Sequence, residues 1–231
     1  MKPKETLLNT KETPNKQEEE MELDHSFFSM ETPLRADAFE LDDDLKVELI
    51  EKHFKEIMQI LGLDLNDDSL KGTPNRVAKM YVKELFKGLN PKNMPDAKLF
   101  DNKYNYKNML VEKNISFHSV CEHHFVPIIG KAHVAYIPNK EVVGLSKLNR
   151  IVRYFAQRPQ VQERMTMQIA NMLKEVLNTQ DVAVIIEADH LCVAMRGVQD
   201  ITSSTVTSEF CGKFQDAKTR EELLNYIALK G

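Results

Sequence analysis

The four residues Cys121-Glu122-His123-His124 constrain this chain more than any other feature, because they crowd three side chains able to bind metal or move protons into one turn. Their complement lies about seventy residues downstream, in His190-Leu191-Cys192, so the fold must bring two distant segments together. Cys121 and His124 have the C-x2-H spacing that lets both reach one ion from a tight turn. Cys192 is the expected third ligand, on a strand where His190, two residues back, points to the same face. Three protein ligands leave a tetrahedral zinc one open position, which is the catalytic arrangement and not the structural one. A single Cys or His is more often an ordinary core or surface residue. It is the joint pattern, with two further histidines beside the ligands, that points to a metal site.

Whole-chain quantities narrow the field. With 231 residues, 42% apolar and 29% charged, the chain has material for one large domain or two small ones. It contains no apolar run of about eighteen residues, so no membrane span is expected. The start, Met1-Lys2-Pro3-Lys4-Glu5, lacks the apolar core of a secretory signal. Three cysteines without regular spacing argue against a disulfide framework and for a reducing compartment, so the cytoplasm is the expected location. The net charge of −4 hides an asymmetry: residues 1–46 carry 13 acidic and 6 basic side chains, which leaves the remainder at +3. Such a body is too weakly basic for general nucleic-acid binding, although a local cluster can hold a small polyanion.

Residues 1–42 are rich in Lys, Glu, Thr, Asn and Pro and read as a mobile tail, with Phe27, Phe28 and Met30 as a short docking segment within it. Residues 43–105 are expected to form a helical hairpin. Apolar spacing predicts one helix from Leu45 to Leu61, closed by Gly62, and a second that Thr73-Pro74 opens and Gly88 closes. In residues 106–231 the pattern becomes strand-like. Met109 to Phe117 alternate and lead into the Cys121 turn. Phe125 to Ile137, interrupted by Pro127 and Gly130, reads as a bulged or edge strand. A helix bearing Leu148, Ile151, Val152 and Phe155 follows and is broken at Pro159; a longer one runs to about Asn178. Asp181 to Met195 is expected to be a strand, residues 202–210 a last strand, and Thr219 to Ala228 a closing helix.

Chemistry follows from these placements. Zinc with an open position generates hydroxide near neutral pH and polarises an electrophile. His123 and His190, beside ligands but not needed for coordination, can move protons. The stretch 144–164 holds five basic residues (Lys147, Arg150, Arg153, Arg158 and Arg164) which, with Ser146, suit a phosphate chain. Glu163 is the one acid among them. Its carboxylate can accept two parallel N–H donors, as the Watson–Crick edge of guanine offers, or it can pair with Arg164 or stand in solvent. No G-x-x-x-x-G-K-[ST] occurs, so a nucleoside triphosphate is not held by a P-loop.

Several long motifs in order, Cys-Glu-His-His-Phe at 121–125, Gly-Leu-Ser-Lys-Leu-Asn-Arg at 144–150, Gln-Arg-Pro-Gln-Val-Gln-Glu-Arg at 157–164 and His-Leu-Cys-Val-Ala-Met-Arg-Gly at 190–197, resemble the GTP cyclohydrolase I family, as does Thr-Pro-Asn-Arg-Val-Ala at 73–78. The likeness covers roughly residues 45–229 and leaves Cys211 without a role. It implies conversion of GTP to 7,8-dihydroneopterin triphosphate and formate, the first committed step towards folate or tetrahydrobiopterin. It implies an α+β tunnelling fold, an antiparallel sheet backed by helices behind the helical hairpin, assembled as a homodecamer with active sites at subunit interfaces. Carried over, Cys121, His124 and Cys192 hold Zn2+, and His123 and His190 are the proton shuttles. Gln162 and Glu163 read guanine, and Ser146, Lys147, Arg150 and Arg196 hold ribose and triphosphate, with Arg76 from a neighbouring subunit. Neither nucleic acid nor membrane is an expected partner. The alternatives are a non-catalytic zinc-stabilised GTP sensor and a nitrile-reductase relative with a nucleophilic Cys, which the Cys-Glu-His-His set opposes.

Overall fold

The computed structural model describes residues 31–96 and 98–229; Phe27, Phe28 and Met30 lie outside them. Asp42 accepts a hydrogen bond from Leu45 N (2.8 Å) and so caps the first helix, α1 (Asp43–Ile60). The second, α2 (Thr73–Met80), packs on α1 and is tied to it by Asn75 on Glu51, while Lys83 beyond its end pairs with Asp44 at 2.8 Å. Thr73 is the first helical residue and not the cap, which is Gly72. The Thr73 hydroxyl instead accepts from Arg76 (2.7 Å). Beyond Met80 the backbone widens into a π-turn (Tyr81–Leu85) and then a 3-10 turn (Lys87–Leu89). Gly88 sits so close to the next layer that a Cβ there would lie 2.1 Å from Tyr154 O, and its N–H donates to Gln157 O at 3.0 Å. Residues 31–42 lie against the body: Thr32 Oγ1 accepts from Arg158 (3.4 Å), and Phe39 lies under Lys46.

Short strands β1 (Leu99–Asp101) and β4 (Glu141–Val143) form a two-stranded antiparallel pair. The main sheet has the order β5-β2-β3-β6-β7, from β2 (Leu110–Cys121), β3 (Pro127–Tyr136), β5 (Pro159–Gln160), β6 (Val182–His190) and β7 (Thr205–Phe210). Its pairs are antiparallel except the two-residue β2–β5 contact. β3 is therefore central, not an edge. Pro127 is its first residue, where a missing N–H costs least. Gly130 is required by close approach: a Cβ would meet Glu187 O at 2.4 Å and Ala188 Cβ at 2.6 Å. The bulge falls instead on β2 between Glu112 and Ile115, with Asn114 in the left-handed region (φ 61°).

Alternation then sorts the side chains. Ile115 and Phe117 of β2, Ala132, Val134 and Tyr136 of β3, and Val182, Val184 and Ile186 of β6 face one way. They meet Leu148, Ile151, Val152 and Phe155 of α3 (Leu145–Ala156) and Met165, Ile169 and Leu173 of α4 (Gln162–Leu177). The same parity puts Cys121, the last residue of β2, and His190, the last of β6, on the helix-backed face. The opposite face is smaller. Ala135, Ala183 and Ile185 pack there with Phe214 and with Leu223 of the closing helix α6 (Ala217–Ala228).

Candidate metal centre and active site

Register builds the site. Pairing of Val120 with Pro127 closes the Cys121–His124 turn, and pairing of Ile128 with His190 sets that turn beside the end of β6. Backbone bonds fix its base: Cys121 N–H donates to Val126 O (2.9 Å), Phe125 N–H to Cys121 O (2.9 Å) and Glu122 N–H to Gln160 O (3.0 Å). Phe125 adopts a left-handed conformation (φ 54°), and its ring meets Phe86 and Tyr81 at centroid distances of 5.4 and 6.4 Å. The N-terminal helical region thus touches the turn directly.

The chain does not continue past His190 as a strand. It coils into a four-residue helical turn, α5 (Leu191–Ala194), so Cys192 reaches inward from a helix and not from the same strand face as His190. The predicted strand to Met195 is therefore too long; its last apolar residues belong to that turn. Coordinating atoms of Cys121, His124 and Cys192 all lie within 4.8 Å of one another. Cys121 Sγ is 3.9 Å from His124 Nδ1 and 3.8 Å from His123 Nδ1. Tetrahedral bonds of the usual Zn–S and Zn–N lengths require S···N separations of about 3.5 Å, so the Cys121–His124 pair would need only a small contraction. Two thiols and an imidazole are also the soft donor set that favours zinc over hard cations. Burial and the neighbouring Cys121 push the Cys192 thiol pKa up, so this thiol is protonated until a cation displaces the proton.

Around this cluster the polar groups are firmly held. Gln162 is 1% exposed, and its Nε2 donates towards Ile186 O (3.1 Å), Thr205 O (3.0 Å) and Thr207 Oγ1 (3.1 Å). Two of those partners are carbonyls, which can only accept, so the amide orientation is determined. Its Oε1 therefore faces His190 Nε2 at 2.7 Å, and that nitrogen carries the proton. Neutral His190 keeps its lone pair on Nδ1. Burial lowers the His190 pKa, against the opposing pull of Glu163 and Asp189. Arg196 Nη2 donates to His124 Nε2, which puts the proton of neutral His124 on Nδ1. Metal ligation through Nδ1 needs the other tautomer, and the Arg196 contact must then open.

Other sequence-assigned residues stand apart. Glu163 is exposed on the first turn of α4. It has no ion pair with Arg164, which turns to Glu122 at 2.8 Å. Arg158 is also removed from the basic cluster, its guanidinium lying 4.5 and 4.7 Å from the Tyr154 and Phe155 ring centres. Ser146 and Lys147 lie on the first turn of α3, and Arg150 lines a cavity of about 300 Å³ with Lys87 and Arg153. Arg76 donates to Ser69 O and Thr73 Oγ1 within its own loop. No hydrogen bond or ion pair among the described residues joins Arg76, Ser146, Lys147 or Arg150 to the Cys121 cluster. The residues that sequence reasoning missed are Glu122 and Arg164. The signal available was a carboxylate inside the ligand turn with no task assigned to it.

An α+β scaffold with a Cys-His-Cys cluster, a half-buried histidine held in one tautomer and an exposed carboxylate beside it defines a candidate metal-dependent enzyme. The sequence model of GTP cyclohydrolase I matches residues 50–228. A GTP cyclohydrolase 1 from Flavobacterium johnsoniae is 60% identical over 210 residues, covering 90% of this chain and 94% of that one. One from Enterobacter sp. (strain 638) is 53% identical over 199 residues, covering 86% and 90%. The chain belongs to the GTP cyclohydrolase I family.

Proposed function

We propose that the protein hydrolyses and rearranges GTP to 7,8-dihydroneopterin triphosphate and formate, with zinc held by Cys121, His124 and Cys192. The observation that carries this reading is the convergence of those three side chains beside His190 in a member of that family. Zinc bound there supplies a Lewis acid and a water acidified to near neutral pH. His190, its Nε2–H fixed by Gln162, accepts and returns protons at Nδ1. His123, exposed on the turn with Nδ1 3.8 Å from Cys121 Sγ, is the second proton carrier. Glu163 accepts guanine N1–H and the 2-amino group. Gln162, whose amide is already committed to the protein, serves as the support of His190 and not as a reader of the base.

The phosphate-binding residues complete the site from other copies. Ser146, Lys147 and Arg150 share the start of α3, and the lack of any hydrogen bond or ion pair from them to the Cys121 cluster among the described residues suits contribution across a subunit interface, with Arg76 from a further neighbour. This is the reading of the chain as an N-terminal helical hairpin and a tunnelling-fold domain in a homodecamer. No helix among the described residues is long and apolar enough to cross a membrane. Incubation with GTP, with oxidised pterin followed by fluorescence and formate quantified, tests the proposal. One formate per pterin is expected; GTP binding without either product would identify a sensor instead.

A further inference from the structure

Glu122 is the member of the ligand turn with no part in metal binding or proton transfer, yet its side chain is only 20% exposed. Both carboxylate oxygens are taken by Arg164: Nη1 donates to Oε2, and Nη2 to Oε1 and Oε2, each at 2.8 Å. The Arg164 side chain is 2% exposed, and its Nε is buried without a partner. Such a pair is a poor source of net stability, because desolvation offsets the attraction and an apolar pair of equal volume often does as well. The orphaned N–H adds a further cost. What the pair does accomplish is a connection. Arg164 lies on the first turn of α4, the same turn that presents Gln162 to His190 and carries Glu163. One helical turn therefore holds the proton carrier with one residue and the ligand turn with another.

Glu122 also sits next to Cys121 and is a competent metal ligand in its own right. A carboxylate released there could enter the position that must stay open for chemistry. Held at two points by a guanidinium, it cannot. We propose that Arg164 is a positioning residue for the metal centre, gripping Glu122 so that the Cys121–His124 turn is fixed to α4 and the carboxylate stays out of the open coordination position. This rests on the metal reading given above.

The test uses full-length protein carrying Arg164→Met, Glu122→Gln or both, loaded with Co2+ or Zn2+. Metal affinity is measured by chelator competition, coordination number from the Co2+ d–d absorption, and kcat and KM with GTP. Arg164→Met is expected to lose about 10–100-fold in kcat, as for other residues that orient metal ligands, with KM little changed. Its Co2+ absorption should weaken as the freed carboxylate raises the coordination number. Adding Glu122→Gln removes the intruding charge, so the double variant should regain the unmodified spectrum and part of the lost kcat. If Arg164→Met does not fold, Arg164→Lys, which keeps the charge but only one point of contact, should show the same spectral change. Unmodified spectrum and affinity in the folded Arg164 variant, or no rescue by Glu122→Gln, would overturn the proposal. Failure of the unmodified protein to bind either metal would instead overturn the metal reading itself.

Discussion

Replacing Gln162 with Met separates two roles for one side chain. Met has nearly the same length and keeps the site filled, but it removes the donor to Ile186 O, Thr205 O and Thr207 Oγ1 and the acceptor for His190 Nε2. The amide has two hydrogens shared among those three acceptors, so at most three full hydrogen bonds are lost; at about 0.5–1.5 kcal/mol each this is roughly 1.5–4.5 kcal/mol of stability. That leaves a folded protein if total stability is in the ordinary range of about 5–15 kcal/mol. The effect on catalysis is larger. His190 would be free to rotate and to move its proton to Nδ1, and a mis-set histidine forfeits much of the ~10²–10⁴-fold that proton transfer contributes. Steady-state kinetics with GTP and with ITP, which lacks the 2-amino group, form the assay. The expected result is a kcat about 100-fold lower, KM within a few-fold of unmodified, and an unchanged ratio of GTP to ITP turnover. A loss that appears in KM, together with collapse of the GTP preference, would show that Gln162 reads the base and that the tautomer reasoning is wrong.

Three further outcomes are expected. Glu163→Gln should retain zinc but lose GTP turnover by orders of magnitude, because an unpaired polar group facing guanine can discriminate by up to ~10⁴-fold; unchanged kcat/KM would remove Glu163 from recognition. His133 is 8% exposed, and burial lowers its pKa, with Lys131 and Lys113 pushing the same way against Glu187. The neutral form is therefore the folded form, and its Nδ1 accepts from Asn114 N–H. The associated stability is complete above the unfolded pKa of about 6.5 and is lost as pH falls towards the lower folded pKa, by at most about 1.4 kcal/mol per pH unit. Chemical denaturation between pH 7.5 and 5 should show a shallower acid loss in His133→Gln, and equal slopes would refute this. Zinc uptake near neutral pH should release at least one proton per ion, from Cys192, whose thiol pKa is raised. Calorimetry in buffers of different ionisation enthalpy measures it, and a buffer-independent heat would contradict the thiolate assignment.

The residues of the site were more legible than their surroundings. Cys121, His124 and Cys192 could be picked out because ligand chemistry restricts residue type and spacing. The helical turn at Cys192 was hidden because Leu191 and Val193 suit a strand as readily as a helix, and four residues carry no usable period. Pro127 and Gly130 suggested an edge. Both are satisfied in a central strand by position, one as its first residue and one at a close backbone approach that only the assembled sheet reveals. Arg164 looked like part of a phosphate-binding cluster because charge along a sequence does not tell which way a helix faces. Burial of its neighbours in α4 turned it to Glu122, across 42 residues of chain. The amide of Gln162 was similarly claimed by carbonyls of β6 and β7 that no local pattern announces.

The most direct test of the account ties metal to chemistry in one experiment: zinc content by elemental analysis and formate release from GTP, measured on the same preparations of unmodified protein, Cys192→Ala and Cys211→Ala. One zinc per chain with GTP-dependent formate is expected in the unmodified protein and in Cys211→Ala, and neither in Cys192→Ala. Full zinc occupancy with formate release in Cys192→Ala would contradict the Cys121-His124-Cys192 centre.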